Sequence, residues 1–139
     1  LGFVLMTIVS NIQFLRDRGR FVLPSTFLKE DDREFAKELM NYSFVNYHKF
    51  HDKVSENLSN WDSDRLVSTD IALIVLGLAE AVRFPNIPIK VTINEFVEIS
   101  KFYSTANSKI FVNGLLDKLI QSMMASGEIV KSGRGLIES

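Results

Sequence analysis

An all-α fold is what this sequence predicts, and three observations predict it. Apolar residues recur at three- and four-residue steps through most of the chain, the spacing of one helix face. The periodic runs open on capping residues and are separated by Gly and Pro breaks. The most apolar run, Ile71–Ala79 with its flanks, is too long for a buried strand.

Taken in order, the first helix is expected over Phe3–Arg18, with Phe3, Leu5 or Met6, Val9, Ile12 and Leu15 or Phe14 on its apolar side. Arg16, Arg18 and Gly19 sit where a helix ends, since cations favour that end of the dipole and Gly allows a left-handed cap. Leu1–Val9 is apolar, but Ser10, Asn11 and Gln13 interrupt it before the roughly 18–20 residues a membrane span needs. It also has no basic leader of the secretory kind, so it reads as a buried helix. Pro24 and Ser25 break the chain before Asp31, which has Glu34 three residues on, the spacing of a capping box. The helix that follows is expected to run to Leu58, burying Phe35, Leu39, Tyr42 or Ser43, Tyr47, Phe50, Val54 and Leu58. Trp61–Arg65 reads as a turn or short helix.

Ser68 or Thr69 caps the next helix, with Asp70 in its first turn, and its wide apolar surface makes it the centre of the core. Pro85 and Pro88 stiffen the connector that follows. A helix from Lys90 or Val91 to Tyr103 is expected to bury Val91, Ile93 or Asn94, Val97, Ile99 and Phe102. Asn107 or Ser108 caps the last helix, which carries Ile110 or Phe111, Leu115, Leu119 and Met123 in a stripe and stops at Gly127. Residues 1–127 are thus expected to form one helical domain, and 128–139 an extended or mobile tail.

The totals narrow the function. A chain of 139 residues, 46% hydrophobic and 24% charged, is one domain that buries about two-thirds of its unfolded surface. With no cysteine it has no disulfide, thiolate nucleophile or Cys-bound zinc, which suits a cytoplasmic protein. His48 and His51 lie three residues apart, but zinc needs three or four ligands and no others are evident. No phosphate-binding glycine loop or nucleophile–base pair emerges, so the chain reads as a binding protein with no cofactor rather than an enzyme. Its net charge of −1 confines any nucleic-acid surface to a local patch: residues 1–70 hold 9 Lys/Arg against 11 Asp/Glu, residues 71–139 hold 7 against 6.

Two stretches stand out within the helical pattern. Asn113-Gly114 interrupts an amphipathic helix at a cost of about 1 kcal/mol against Ala, which close packing or close approach of a ligand would explain. Asn94-Glu95 places polar residues in an otherwise apolar helix: either Asn94 satisfies a neighbouring turn, or the pair faces a protein partner. The best binding candidate is the amino-terminal end of the last helix. Free backbone N–H groups there attract phosphate, Lys109 adds a charge, Asn107 and Ser108 add short polar groups, and Phe111 offers a stacking face. The competing reading is a capping Asn107, a solvated Lys109 and a core Phe111.

From Trp61 to Lys118 the chain resembles the NusB family of transcription antitermination factors. The resemblance rests on Trp61, Arg65, Leu66 and Asp70, then Pro88, Lys90, Val91, Ile93, Asn94 and Glu95, then Phe111, Val112, Asn113, Gly114, Leu116 and Asp117; Asp31–Leu58 fits more weakly. It implies an all-α bundle of about five to seven helices in two packed subbundles. It also implies binding of the boxA element of nascent single-stranded RNA jointly with ribosomal protein ten of the small subunit, in a complex with other antitermination factors and RNA polymerase on ribosomal RNA operons. By matched position Asn107, Ser108, Lys109 and Phe111 fall near RNA, and Asp70, with Glu95, on the protein-partner side. The family usually opens with an arginine-rich helix, whereas Leu1–Val9 is uncharged, so the chain is similar to the carboxy-terminal part of lengthened members. The position of Asn107 is often Asp in the family. Two rivals share the helical build: the domain that precedes the catalytic domain of some RNA cytosine methyltransferases, and an interaction module that forms a homodimer without RNA.

Overall fold

The computed structural model describes residues 9, 12, 16–19, 29–58, 68–103 and 105–137. The chain divides into two compact units, Leu1–Phe35 and Ala36–Ser139. Among the described residues every regular element is helical: α1 (Glu30–Val45), α2 (Tyr47–Glu56), α3 (Ser68–Arg83), α4 (Ile89–Tyr103), α5 (Ser108–Ala125) and a 3-10 turn at Gly133–Leu136. None of these helices is long and apolar enough to cross a membrane. Most of the expected first helix, and Trp61, Arg65 and Leu66, lie outside the described residues. Within that helix Val9 and Ile12 are helical but exposed rather than buried, and Gly19 has the left-handed φ of 63° expected of a cap.

In the second unit α3, α4 and α5 pack on one another in pairs, and α2 packs against α3 and α5. The apolar character of α3 places it at the centre, with Leu73, Ile74, Val75, Leu78, Ala79 and Ala81 buried. Gly77 makes this possible. A Cβ there would lie 2.9 Å from both δ-carbons of Leu116 and 3.3 Å from Phe96, so only a hydrogen lets α3 approach both neighbours this closely. The helical cost of that glycine is offset by full burial of Leu116.

Three expectations are corrected. The single helix over Asp31–Leu58 is broken at Asn46, whose amide donates to the Tyr42 carbonyl at 2.9 Å while its own N–H uses the same acceptor at 3.1 Å. The first helix of this pair starts at Glu30, which moves Asp31 from the cap into the first turn. Phe50 and Val54 are buried as expected, but Tyr47 turns outward and packs its ring on His48 and His51. In α4 the buried side is Ile89, Thr92, Ile93, Phe96, Val97 and Ser100, while Val91, Ile99 and Phe102 face out. Hydroxyls occupy core positions there because each has an internal acceptor: Thr92 donates to Glu80 at 2.7 Å and Ser100 to the Val97 carbonyl at 2.6 Å.

The third correction concerns the carboxy-terminal segment, which is docked rather than extended or mobile. α5 ends as expected at Gly127, φ 80°, in a Schellman motif: Glu128 N–H donates to Met123 O and Gly127 N–H to Met124 O. Glu128 then pairs with Lys53 at 2.8 Å and Lys49 at 3.2 Å, and Ile129 is buried. Lys131 reaches the end of α3, donating to the carbonyls of Ala81 at 2.8 Å and Phe84 at 3.1 Å. Ser132 N–H donates to Pro85 O, and Gly135 lies so close to that carbonyl that a Cβ would overlap it. Residues 128–137 therefore pack within the same unit as α2–α5.

Candidate nucleic-acid interface

The turn between α4 and α5 is closed by a backbone bond, Ser108 N–H to Thr105 O at 3.0 Å, and by the Ser108 hydroxyl. Ser108 Oγ accepts from Thr105 N–H at 3.1 Å, so the first residue of α5 reaches back three positions into the turn that precedes the helix. The same oxygen donates to Asp70 Oδ2 at 2.8 Å and lies 2.9 Å from Thr105 Oγ1. A hydroxyl has one proton and two lone pairs, so with the proton on Asp70 the Thr105 hydroxyl is the donor of the remaining bond. Asp70 and Ser108 are each 2% exposed. The Asp70 carboxylate sits in the first turn of α3, where the helix dipole favours an anion.

Around this buried post the side chains point to solvent. Phe102 is 80% and Tyr103 74% exposed at the end of α4, and Ile110 is 72% exposed at the start of α5. Asn107 and Lys109 are exposed between them. Asn107 holds the position before the helix at φ −85° without capping it by its side chain. Two aromatic faces, an amide and an ammonium thus surround a helix start whose backbone N–H groups favour anions.

This geometry sorts the expected site residues. Asn107 and Lys109 are on the outer surface. Ser108 is inside and turned away from solvent, so it supports the turn instead of offering its hydroxyl. Phe111 is half-buried and packs against the core. Asp70 is interior and accepts from Ser108. Asn94 and Glu95 are exposed on α4, which removes the reading of Asn94 as a buried amide. Asn113 and Gly114 are also exposed, and a Cβ on Gly114 would meet nothing within 4 Å among the described residues, so close packing among these does not account for that glycine. Sequence reasoning missed Phe102 and Tyr103. The signal was available for one of them: from the register of α4, which begins at Ile89 directly after Pro88, Phe102 falls outside the buried stripe, whereas Tyr103, the last residue of the helix, continues the stripe by spacing and is exposed all the same. Among the described residues no group of three or more His, Cys, Asp or Glu is placed to hold a metal.

The fold and this exposed helix junction define a class, the small all-α bundle module. Within that class the chain belongs to the NusB family, whose model matches residues 7–121. It is 32% identical over 105 residues to the transcription antitermination protein NusB of Salinibacter ruber, covering 76% of this chain and 66% of that protein. The Chloroherpeton thalassium protein of the same name is 34% identical over 106 residues, covering 76% and 50%, and that of Methylacidiphilum infernorum is 35% identical over 94 residues, covering 68% and 66%. The matched region thus spans between half and two-thirds of the length of these relatives. A crystal form of T. maritima NusB superposes with a TM-score of 0.66 at 27% identity, covering 89% of this chain and 92% of that one.

Proposed function

We propose that this chain is a transcription antitermination factor of the cytoplasm, a binding protein and not an enzyme, that takes boxA-type single-stranded RNA together with small-subunit ribosomal protein ten. Other antitermination factors and RNA polymerase complete the assembly. The observation that carries this reading is the exposed set Phe102, Tyr103, Asn107 and Lys109 around the start of α5. Unpaired bases stack on aromatic faces, each stack being worth about 1–3 kcal/mol, and the helix start favours a phosphate. Family membership and the names of the relatives support the same reading. A net charge of −1 with one lysine in the patch supplies little of the electrostatic attraction that RNA binding needs. A basic partner protein bound alongside would supply the rest.

The test is binding of boxA against a scrambled strand, with and without the ribosomal protein, across a salt series. Sequence-dependent binding that tightens with the protein is expected, with a shallow salt slope for the chain alone. Tyr103→Ala combined with Lys109→Ala is expected to weaken binding at least tenfold, roughly one stack lost. Stability should stay within about 0.5 kcal/mol, since both side chains are exposed. Binding equal for both strands, or unchanged in the double variant, would remove this site. The mass of the chain in solution reports whether it also pairs with itself.

A further inference from the structure

We infer that Asp70 is a positioning residue for RNA recognition: through Ser108 it locks the Thr105–Ser108 turn, and so fixes the exposed groups that flank it. The inference rests on the functional reading above. The residue is 2% exposed and bonds Ser108 from 38 positions away in the chain. Three features of the geometry carry it. The Ser108 hydroxyl has its whole bonding capacity committed, its proton to Asp70 and its lone pairs to the backbone and side chain of Thr105. The acceptor stands in the first turn of α3, the central helix, so the turn is tied to the helix that carries most of the buried core residues of the unit. The outward residues, Tyr103 and Phe102 before the turn and Asn107 and Lys109 around it, have no comparable anchor of their own in the core. A recognition surface of rotamer-rich side chains loses less entropy on binding when its backbone is already held.

The sign of the effect separates positioning from charge. Taking a carboxylate away from the neighbourhood of a phosphate chain tightens binding on electrostatic grounds alone. Positioning requires the opposite. Asp70→Ala and Ser108→Ala are each expected to weaken boxA binding about fivefold, the equivalent of one ordinary net hydrogen bond. The double variant is expected to be no weaker than the weaker single one, because both remove the same link. Asp70→Asn keeps an acceptor oxygen at the same place without the charge and is expected to restore most of the affinity.

Amide exchange read on the same proteins makes the outcome independent of RNA. Thr105 N–H, held by Ser108 Oγ in the native chain, is expected to exchange faster in Asp70→Ala and to be protected again in Asp70→Asn. Tighter or unchanged binding in Asp70→Ala, or Asp70→Asn as weak as Asp70→Ala, overturns the inference; so does unaltered exchange at Thr105. If the native chain binds no boxA RNA with the ribosomal protein present, the functional reading fails instead. Exchange at Thr105 then still decides whether Asp70 holds the turn.

Discussion

At its amino-terminal end α3 holds the chain through Asp70, which anchors the turn leading into α5; at its carboxy-terminal end it is held by Lys131, which arrives from the far end of the sequence. Both junctions use a buried charged side chain to fix a segment remote in sequence. What surrounds each one differs. Around Asp70 the neighbouring side chains, Phe102, Tyr103, Asn107 and Lys109, are turned to water. Around Lys131 the backbone carbonyls of Ala81 and Phe84 are taken up, Glu80 and Thr92 bond one another inside, and Gly135 closes on Pro85. One end of the helix is a rigid mount for an exposed surface, and the other is a seal. The contrast fits the proposed recognition role for the first and a stabilising role for the second, because a polar group satisfied wholly within the chain has little left to offer a ligand.

The seal is where the largest effect on folding is expected. Gly135→Ala drives a methyl group into the Pro85 carbonyl, which is backbone and cannot swing aside, and brings it within 3.2 Å of Lys131 Cδ. The strap must lift there, drawing Lys131 from its two carbonyls. A loss of about 3 kcal/mol is expected in urea unfolding. RNA binding measured well below the transition should change little, because the altered junction lies at the other end of α3. Full native stability in this variant would mean that the strap is not a seal.

Much of the fold was legible in the residues, and the site less so. The Ser68–Asp70 signal marks the start of α3, although Ser68 and Thr69 lie in its first turn rather than at its cap, and the stop at Gly127 locates the end of α5, because helix ends are local chemistry. The α4 stripe was misplaced because Thr92 and Ser100 carry part of the buried face. Their acceptors, Glu80 and the Val97 carbonyl, become visible only once α3 and α4 are folded and packed. Docking of residues 128–137 was illegible for the same reason: Lys131 reads as a solvated cation until the end of α3 is placed beside it. Asn107 and Lys109 were named from the helix start alone, and both are exposed. The inward turn of Ser108 and Asp70 depends on a contact across 38 residues, which no local pattern contains.

A smaller effect tests the charge inside the seal. Burial raises the Glu80 carboxyl above its ordinary range, with Glu95 pushing the same way, while the Thr92 hydrogen bond and the Lys131 charge oppose them. A carboxyl with a raised folded pKa contributes stability that is full below its unfolded pKa and lost as pH rises through the folded value. Glu80→Gln keeps an acceptor for Thr92 and cannot ionise. The stability of the native chain relative to this variant is therefore expected to fall between the ordinary carboxylate range and the raised value, then level off. Glu128, whose carboxyl is lowered chiefly by its bond from Lys53, titrates in both proteins and cancels from that difference. Lys131 is lowered by burial, so its window lies on the alkaline side, and Glu80 opposes that shift. A difference that stays flat across mildly acid to neutral pH would show that Glu80 is no more strained than a surface carboxylate.

The smallest effect has the opposite sign and bears on the open side of the comparison. Gly77 and Gly114 are both interior to helices, yet a Cβ on the first would press on Leu116 and Phe96 while a Cβ on the second would meet nothing within 4 Å among the described residues. Packing among these explains Gly77 and does not explain Gly114. Replacing an exposed mid-helix glycine by alanine reduces the freedom of the unfolded chain and adds helix propensity, so Gly114→Ala is expected to stabilise by about 0.5–1 kcal/mol. Unfolding by urea measures the gain, and binding of boxA RNA with the ribosomal protein measures its consequence. A gain in stability with unchanged binding would leave Gly114 without a role in either function or packing. A gain accompanied by weaker assembly would mean that backbone at Gly114 is approached by a partner, placing the outer face of α5 on the same recognition side as Asn107 and Lys109.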